Sequence, residues 1–433
     1  MKKSRNITLN VPVLARVEGE GALNLTIKNN KIADIALNIY EPPRLFEKLL
    51  VGRSYKEVPD IVARICGICP VAYQMSAVHA LERIFRCQPG PWVRMMRRLI
   101  YCGEWIESHA LHVHLLAAPD FLGFDNAPSM AKKYAGELKR GLRLQAVGNE
   151  IIKCFGGRSV HPVGVCVGGF YRSPGIDEIS KLRKKLIDAV DDAVSLIDWV
   201  ASFNYPEYGQ LFTCVSLRHN EEYPFNEGRL ISSSGLDIDI AEFEHHIIEH
   251  HVPHSTALHA LLDGKPYLVG PLARLNLNYD RLPDEITSII ENRKIRMPAT
   301  NMFHNILARA IEIYYAILEA IKITDQYSDP DVSASDIRAR AGTGFGCTEA
   351  PRGILWHKYI VDEQGDIEKA VIVPPTSQNQ ARIEADLKQS LESFGLHHDN
   401  DELCVFGEKI IRNYDPCISC ATHFLKIDVQ RQD

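Results

Sequence analysis

The chain has 433 residues, of which 45% are apolar and 24% are charged, and its formal net charge is −6. The length is enough for a large hydrophobic core, and the negative charge argues against binding to nucleic acid or to an anionic membrane surface. The sequence contains no run of about 18 apolar residues, so no membrane span is predicted. The basic N-terminus is not followed by the apolar stretch of a signal peptide, so we expect a cytoplasmic globular protein.

The apolar pattern predicts β-structure first and helices afterwards. Residues 22–27 alternate with period two and residues 32–40 are apolar again, which favours a hairpin. Helical spacing then recurs over 61–87, 91–117, 128–154, 176–203, 282–293 and 299–325. A mixed region at 204–280, a hairpin within 354–373 and a last helix near 377–395 complete the pattern. We predict an α+β fold, mainly α, in which a long-helix bundle forms the core of one domain over residues 1–433 and small β-sheets lie near both termini.

The cysteines suggest a metal centre. There are 11 of them, an odd number that argues against a disulfide framework. Four fall in two C-x-x-C pairs, Cys66 with Cys69 and Cys417 with Cys420. Four thiolates can hold nickel, iron, zinc or an iron–sulfur cluster. A structural zinc or a rubredoxin-like iron stays open on this ground, although such sites usually have pairs only about 15–20 residues apart.

The residues around both pairs resemble the large subunit of nickel–iron hydrogenases. Residues 64–69 (Arg-x-Cys-Gly-x-Cys) resemble the N-terminal metal motif of that family, and residues 415–423 (Asp-Pro-Cys-x-x-Cys-x-x-His) resemble the C-terminal one. Three further segments of this chain resemble family motifs and occur in the same order: residues 16–19, 156–162 and 349–353. The resemblance implies a catalytic subunit that interconverts dihydrogen with two protons and two electrons.

The resemblance also implies how the metals are held. Cys66 and Cys417 would be terminal ligands of nickel. Cys69 and Cys420 would bridge nickel to an iron that carries carbon monoxide and cyanide. Four thiolates are soft, strongly donating ligands, which suits this chemistry.

Four further polar residues would surround the metals if the resemblance holds. Arg352 follows Pro351, and its fixed fork of donors could bind a cyanide. Thr376 could donate its hydroxyl to a second cyanide. Asp120 and Asp415 would be carboxylates near Arg352, and their charge would hold its guanidinium in place.

Proton transfer and a second metal enter through the same resemblance. Glu18 resembles the acid that takes a proton from a terminal cysteine, although a solvated carboxylate is the plainer interpretation. Glu47 and His423 resemble the ligands of a structural magnesium, which prefers oxygen ligands and keeps several waters. The plainer interpretation of Glu47 is an exposed helix residue.

One departure indicates the branch of the family. Many members have a histidine where this chain has Tyr73, and residues 70–73 look most like the cytoplasmic, bidirectional, NADP-linked branch, whose members also reduce sulfur. The implied partners are a small subunit with iron–sulfur clusters, a flavin subunit that carries FAD and binds NAD(P), and a ferredoxin-like subunit. The alternatives are the NAD-linked branch and a metal-free relative, such as the quinone-module subunit of respiratory complex I.

Three other segments complete the sequence-based hypotheses. Residues 424–433 resemble a C-terminal peptide that a maturation endopeptidase removes. The histidine-rich segment 244–259 matches no metal motif, and we interpret it as solvated surface. Residues 342–346 are glycine-rich, but no hydrophobic strand precedes them, so we expect no nicotinamide binding by this chain.

Overall fold

A computed structural model describes residues 6–422 of the chain. The N-terminal segment forms an antiparallel sheet in the order β1-β2-β3, built from β1 (Ile7–Val11), β2 (Gly21–Lys28) and β3 (Lys31–Ile39). Asn29 and Asn30 connect β2 to β3 with φ of 52° and 58°, the left-handed backbone that a two-residue hairpin turn needs. Alternate side chains of β2 are buried, so one face of this sheet lies on the core.

Long helices follow, with short ones between them. They are α1 (Phe46–Leu50), α2 (Val58–Val62), α3 (Pro70–Phe85), α4 (Pro91–Leu111), α5 (Ala118–Leu122), α6 (Ala127–Met130) and α7 (Ala135–Gly156). A π-helical stretch (His112–Ala117) joins α4 to α5. The helix predicted over 61–87 is interrupted by the loop that holds Cys66 and Cys69, because Pro70 begins a new helix.

The middle of the chain contains short strands that the sequence pattern did not resolve. These elements are β4 (Val165–Cys166), β5 (Gly169–Phe170), α8 (Ile176–Asp188), α9 (Val190–Ala201), β6 (Val215–Arg218), β7 (Arg229–Ser232), β8 (Asp237–Ile238), α10 (Phe243–His246), β9 (Ile247–His250) and β10 (His259–Leu262). Small sheets therefore occur in the middle as well as near the termini. Strands of two to four residues are too short to show a clear period.

The C-terminal part returns to the site region. Its elements are α11 (Pro271–Asn278), α12 (Asp284–Asn292), α13 (Asn305–Asp325), β11 (Gly342–Ala350), β12 (Gly353–Val361), β13 (Ile367–Val373), α14 (Pro375–Phe394), α15 (Asn400–Tyr414) and α16 (Ile418–Ala421). The predicted hairpin is part of the sheet β11-β12-β13. The sequence analysis missed α15, although Asp399 and Glu402 form a capping box at its start.

One large hydrophobic cluster joins the ends of the described chain. It includes Leu9 of β1, the buried faces of α3, α4 and α13, and Ala421 of α16. The predicted class, mainly α with small sheets, is confirmed by this arrangement and by its likeness to solved structures reported below. None of the helices within residues 6–422 is both long enough and apolar enough to span a membrane.

Candidate metal centre

Four buried cysteines from distant parts of the chain meet at one point. The Sγ atoms of Cys66 and Cys417 are 3.5 Å apart, and those of Cys69 and Cys420 are 3.9 Å apart. The Sγ atoms of Cys417 and Cys420 are separated by 2.7 Å. All four sulfurs lie within 4.8 Å of one another, and none of these cysteines is in a disulfide. Such a cluster of soft donors is suited to nickel, iron or zinc.

The first pair lies in the loop between α2 and α3. Pro70 is the first residue of α3, and Cys69 is its N-cap. The Sγ of Cys66 accepts hydrogen bonds from the backbone N–H groups of Ile68 and Cys69, each at 3.3 Å. These donors and the positive end of α3 stabilise negative charge on Cys66.

A carboxylate from α4 holds this loop in place. Glu104 accepts the backbone N–H groups of Val71 at 2.5 Å and Ala72 at 3.0 Å, and thereby caps α3. Burial raises the pKa of Glu104 well above its usual range. Burial also raises the pKa of Glu107, one turn further along α4, where Arg352 is close enough to oppose the shift. Neither acid is predicted from the sequence, although carboxylates within an apolar helical stretch are an available signal.

The second pair follows α15 directly. Asp415 ends that helix in the left-handed conformation, with φ of 55°, which aspartate tolerates better than most residues. The backbone N–H of Cys417 then donates to the Thr376 hydroxyl at 3.1 Å, in the first turn of α14. The hydroxyl oxygen is the acceptor here, so the proton of Thr376 remains available for another contact.

Residues 16–19 run beside the second pair. The carbonyl of Glu18 accepts the N–H of Ile418, and its carboxylate accepts the N–H of Ser419, both at 3.0 Å. Gly19 has φ of +89°, and a Cβ there would lie 2.6 Å from the Cβ of Ile418. Only glycine permits this approach, so Gly19 allows the half-buried Glu18 to reach the cysteine turn.

Arg44 links the two cysteine segments. Its guanidinium donates to the carbonyl of Ile65 at 2.6 Å and also to the carbonyl of Ser419. Its backbone N–H donates to Thr422 at 2.6 Å. Because Ile65 precedes Cys66 and Ser419 lies inside the second motif, Arg44 is a positioning residue for the cluster. The sequence analysis did not assign it a role, since contacts across 375 residues have no local signal.

Arg352 lies beside the sulfurs with one unused donor. Its Nε donates to the carbonyl of Asp415 at 2.8 Å, and its Nη2 donates to the Asp415 carboxylate at 3.2 Å. Its Nη1 is buried without a hydrogen-bond partner among the described residues. Burial would lower the pKa of Arg352, but Asp415 and the thiolates of Cys417, Cys69 and Cys66 raise it well above its ordinary value.

The turn between β11 and β12 fixes Arg352. Gly353 follows it with φ of +133°, and a Cβ at that position would lie 2.5 Å from the Cγ2 of Val269. The carbonyl of the buried Pro351 accepts a hydrogen bond from Arg274 at 3.0 Å. The backbone on both sides of Arg352 is therefore held by packing, and its side chain has little freedom to leave the site.

Asp415 is held between two cations. Its Oδ2 lies 3.1 Å from the Nε of Arg352 and 3.2 Å from the Nη1 of Arg309. Burial alone would raise the pKa of Asp415, but Arg352, His112 and Arg309 together keep it below its usual value. Burial also lowers the pKa of Arg309 to about 10. Asp415 is thus a permanent anion at neutral pH.

Buried charges continue inward from Arg309. Its Nη1 lies 3.1 Å from the Nδ1 of His109, whose Nε2 is 2.9 Å from Glu312. Arg274 then bridges Glu312 at 2.8 Å and Glu349 at 2.9 Å. Burial lowers the pKa of His109 to about 3 and raises the pKa of Glu349 to about 7. Of this network, the sequence analysis singled out only the segment containing Glu349.

The prediction for Asp120 is wrong in its partner. The Asp120 carboxylate lies 2.6 Å from Arg16 and 2.8 Å from Arg412, and within residues 6–422 it forms no ion pair with Arg352. Arg16 lies two residues before Glu18, and Arg412 belongs to α15. The packing of these two segments brings both cations to Asp120. Asp120 therefore ties the segment of Glu18 to the helix that leads into Asp415.

Of the two proposed magnesium ligands, only Glu47 lies within the described residues. Glu47 lies in α1, and its carboxylate accepts the backbone N–H of Ile372 in β13 at 2.7 Å. His423 lies outside the described residues. The assignment of this pair to magnesium stays a prediction.

The acid–base properties of the cluster favour a bound cation. Hydrogen bonds from Cys417, Cys420 and Cys69 hold the pKa of Cys66 well below its usual range. Burial raises the pKa of Cys417 well above its usual range. A cation is therefore needed to keep all four sulfurs deprotonated.

The buried hydroxyl of Tyr73 has no hydrogen-bond partner in the described chain, and burial raises its pKa so far that it remains protonated.

Comparisons with known proteins agree with this site. The sequence profile of the nickel-dependent hydrogenase family matches residues 44–143 and 248–423. The alpha chain of sulfhydrogenase 1 from Pyrococcus furiosus is 31% identical, over 98% of this chain and 100% of the relative. The alpha chain of sulfhydrogenase 2 from the same organism is 32% identical, over 95% of this chain and 98% of the relative.

Solved structures show the same fold. A chain of an NAD+-reducing [NiFe]-hydrogenase in its H2-reduced state superposes with a TM-score of 0.86 and 26% identity, over 97% of this chain and 100% of that one. A [NiFeSe] hydrogenase of Desulfovibrio vulgaris Hildenborough superposes with a TM-score of 0.80 at 22% identity, over 96% of this chain and all of that one, which supports the fold alone. The chain thus belongs to the nickel-dependent hydrogenase family, and it is the catalytic large subunit of a hydrogenase with a nickel–iron centre.

Proposed function

We propose that the four cysteines hold the nickel–iron centre in two roles. Cys66 and Cys417 would be terminal ligands of nickel, and Cys69 and Cys420 would be shared between nickel and an iron that carries carbon monoxide and cyanide. When bound, the centre supplies the site at which dihydrogen is split heterolytically, and the overall reaction releases two protons and two electrons. The observation that carries the proposal is the meeting of four sulfurs within 4.8 Å, none of them in a disulfide.

Metal analysis of the purified chain tests this assignment. We expect nickel and iron in equal amounts in the wild type, and loss of nickel and of dihydrogen-dependent dye reduction in Cys417→Ser. Cys404→Ser is the matched control, because Cys404 is a half-buried thiol outside the cluster. A Cys417→Ser variant that retains nickel and activity would exclude the assignment, and a cysteine cluster that holds zinc alone would support a structural zinc protein instead.

We assign the diatomic ligands to two donors. The unused Nη1 of Arg352 is available to one cyanide, and we propose that Pro351, the residue before it, also contacts the diatomic ligands. The free proton of the Thr376 hydroxyl is available to the second cyanide. Asp415 orients Arg352 through the two contacts already described, whereas Asp120 acts only on the segments that frame the site.

Glu18 is proposed as the proton relay. Its carboxylate lies at the turn that carries Cys417 and Cys420, and its partial exposure gives a proton a route outwards. We expect Glu18→Gln to abolish hydrogen–deuterium exchange and turnover while nickel and iron stay bound. Glu20→Gln, which changes an exposed acid two residues away, is expected to behave as the wild type. Normal exchange in Glu18→Gln would remove Glu18 from the relay.

Glu47 and His423 are proposed as protein ligands of a structural magnesium. The support is the carboxylate of Glu47, an oxygen donor of the kind magnesium prefers. We expect Glu47→Gln to contain less magnesium than the wild type, with Glu57→Gln at an exposed position as control. Equal magnesium contents would contradict the assignment.

Electrons are proposed to leave through partner subunits. Apart from the four-cysteine cluster, no cysteine-rich group that could hold a metal is found within residues 6–422. The proposed partners are a small subunit with iron–sulfur clusters, a flavin subunit that carries FAD and binds NADP, and a ferredoxin-like subunit, working together in the cytoplasm. The similarity to an NAD+-reducing hydrogenase makes NAD the second candidate. Reduction of NADP against NAD by the purified complex under dihydrogen decides between them.

The processing of the chain is the last part of the proposal. We infer that residues 1–433 are one domain, since the larger of two hydrophobic clusters contains residues from Leu9 to Ala421. We also propose that a maturation endopeptidase removes residues 424–433, so that the mature chain ends at His423. Intact mass spectrometry of active enzyme is expected to give that mass, and retention of Asp433 would refute the cleavage.

A further inference from the structure

We propose that His254, His259 and Glu384 form a second metal site, separate from the cysteine cluster, and that it takes one zinc ion. Each side chain offers one ligand atom, and these atoms all lie within 4.8 Å of one another. No other non-cysteine group among the described residues meets that condition. Two imidazoles and one carboxylate are a ligand set that suits zinc.

Three elements bring the ligands together. His254 lies in the loop between β9 and β10, His259 is the first residue of β10, and Glu384 lies in the middle of α14. The backbone N–H of Leu37 in β3 donates to the Glu384 carboxylate at 2.9 Å. The backbone N–H of Thr256 donates to β3 as well. The loop and the helix are therefore both fixed against β3 before any ion binds.

The three ligand atoms are close enough together to share one ion. The Nε2 of His254 lies 2.7 Å from Glu384 Oε1, and the Nδ1 of His259 lies 3.9 Å from Glu384 Oε2. Ligand atoms about 2.1 Å from a tetrahedral zinc are roughly 3.4 Å apart. The shorter separation is that of a hydrogen bond between His254 and Glu384, so a bound zinc ion would replace this hydrogen bond and move the two side chains apart.

His259 is the buried member of the proposed site. Its side chain is only 6% exposed, and its Nδ1 is the ring nitrogen that faces Glu384. Packing therefore holds this ligand in place before any ion binds.

The surroundings are negative and open on one side. The negative charges of Glu384 and of the nearby Asp34 would both favour a bound cation. The side chain of His254 is 34% exposed, so an ion can enter from solvent and a water molecule can occupy a fourth position. The site also lies on α14, eight residues after Thr376, and would anchor the helix that supports Cys417.

The proposal corrects the interpretation of the histidine-rich segment. His245 and His251 are exposed, as expected of a solvated surface, but His259 is buried. The sequence could not show this, because Glu384 lies 130 residues beyond His254.

The test uses purified holoenzyme and zinc itself. We expect about one zinc per chain in the wild type after equilibration with zinc chloride, and more than about 100-fold weaker binding in His254→Gln/His259→Gln, since loss of even an outer-sphere partner costs about 10–100-fold. The control His245→Gln/His251→Gln removes two exposed histidines and should bind zinc as the wild type does. Glu384→Gln should also bind more weakly, and it keeps both rings in place if the double variant does not fold.

X-ray absorption spectroscopy at the zinc K-edge identifies the atoms bound to zinc without interference from nickel or iron. Nitrogen and oxygen neighbours at about 2.0–2.2 Å support the site, whereas sulfur neighbours would overturn it. Failure of the wild type to bind zinc, or equal binding by the wild type and both site variants, would also overturn it. Cys417→Ser should lose nickel but keep this zinc, so failure here is distinguishable from failure of the proposed nickel–iron assignment.

Discussion

Replacement of Arg352 by lysine tests the mechanism most directly. Lysine keeps the positive charge but has one nitrogen in place of the three of the guanidinium. Two of those nitrogens are used on Asp415, at 2.8 and 3.2 Å, and the third is the buried Nη1 without a partner in the described chain. A lysine cannot satisfy Asp415 and the metal centre together, so the variant should lose the contact with the centre.

The size of the effect follows from the lost contact. One hydrogen bond from a charged donor contributes about 1.5–3 kcal/mol. If this contact strengthens in the transition state, its loss slows turnover by about 10- to 150-fold, at 1.36 kcal/mol for each factor of ten. The assay is dihydrogen-dependent dye reduction at saturating dihydrogen, normalised to nickel and iron content. Stability should change little, because Asp415 keeps a cationic partner.

Arg218→Lys is the matched control. Arg218 forms a bidentate pair with Asp280 at the surface, and its replacement should leave turnover unchanged. Unchanged turnover in a fully metal-loaded Arg352→Lys variant would refute the assignment of Nη1 to the reacting centre. An equal loss in both variants would show a general effect of the substitution instead.

Three further outcomes are expected. Asp415→Asn leaves Arg352 and Arg309 without their shared anion and should destabilise the protein by about 3–5 kcal/mol in chemical unfolding. Because the folded-state pKa of Asp415 is below its usual 3.8, its stabilisation is present above pH 3.8 and is lost as the pH falls through the folded-state pKa, so the two proteins should converge in acid. Burial raises the pKa of Glu349 from 4.5 to about 7. Its protonated form therefore contributes stability below pH 4.5 that is lost as the pH rises through 7, and Glu349→Gln should flatten that part of the stability curve; an unchanged slope would contradict this. Tyr73→Phe removes a buried hydroxyl that has no partner in the described chain, so turnover should fall by about 2- to 10-fold if the hydroxyl donates to a cysteine sulfur, while a loss of stability would point to a structural role.

The sequence alone predicted the class of the fold and the four cysteines that the structure brings together. Helical spacing depends on neighbours three and four residues apart, so α4 and α13 were predictable from local pattern. The cysteine motifs could also be recognised from the sequence, because the residues that flank each pair are contiguous in the chain. The short strands of the middle region were not, because they have too few residues to show a period.

The tertiary structure decided every contact between distant segments. It placed Glu104 under the first cysteine loop, Arg44 across both loops and Arg309 on Asp415, and it gave Asp120 partners other than the one predicted. The physical reason is that such pairings depend on which faces of the helices and strands pack together. That choice is made by the burial of the whole apolar surface, and no short stretch of sequence contains it.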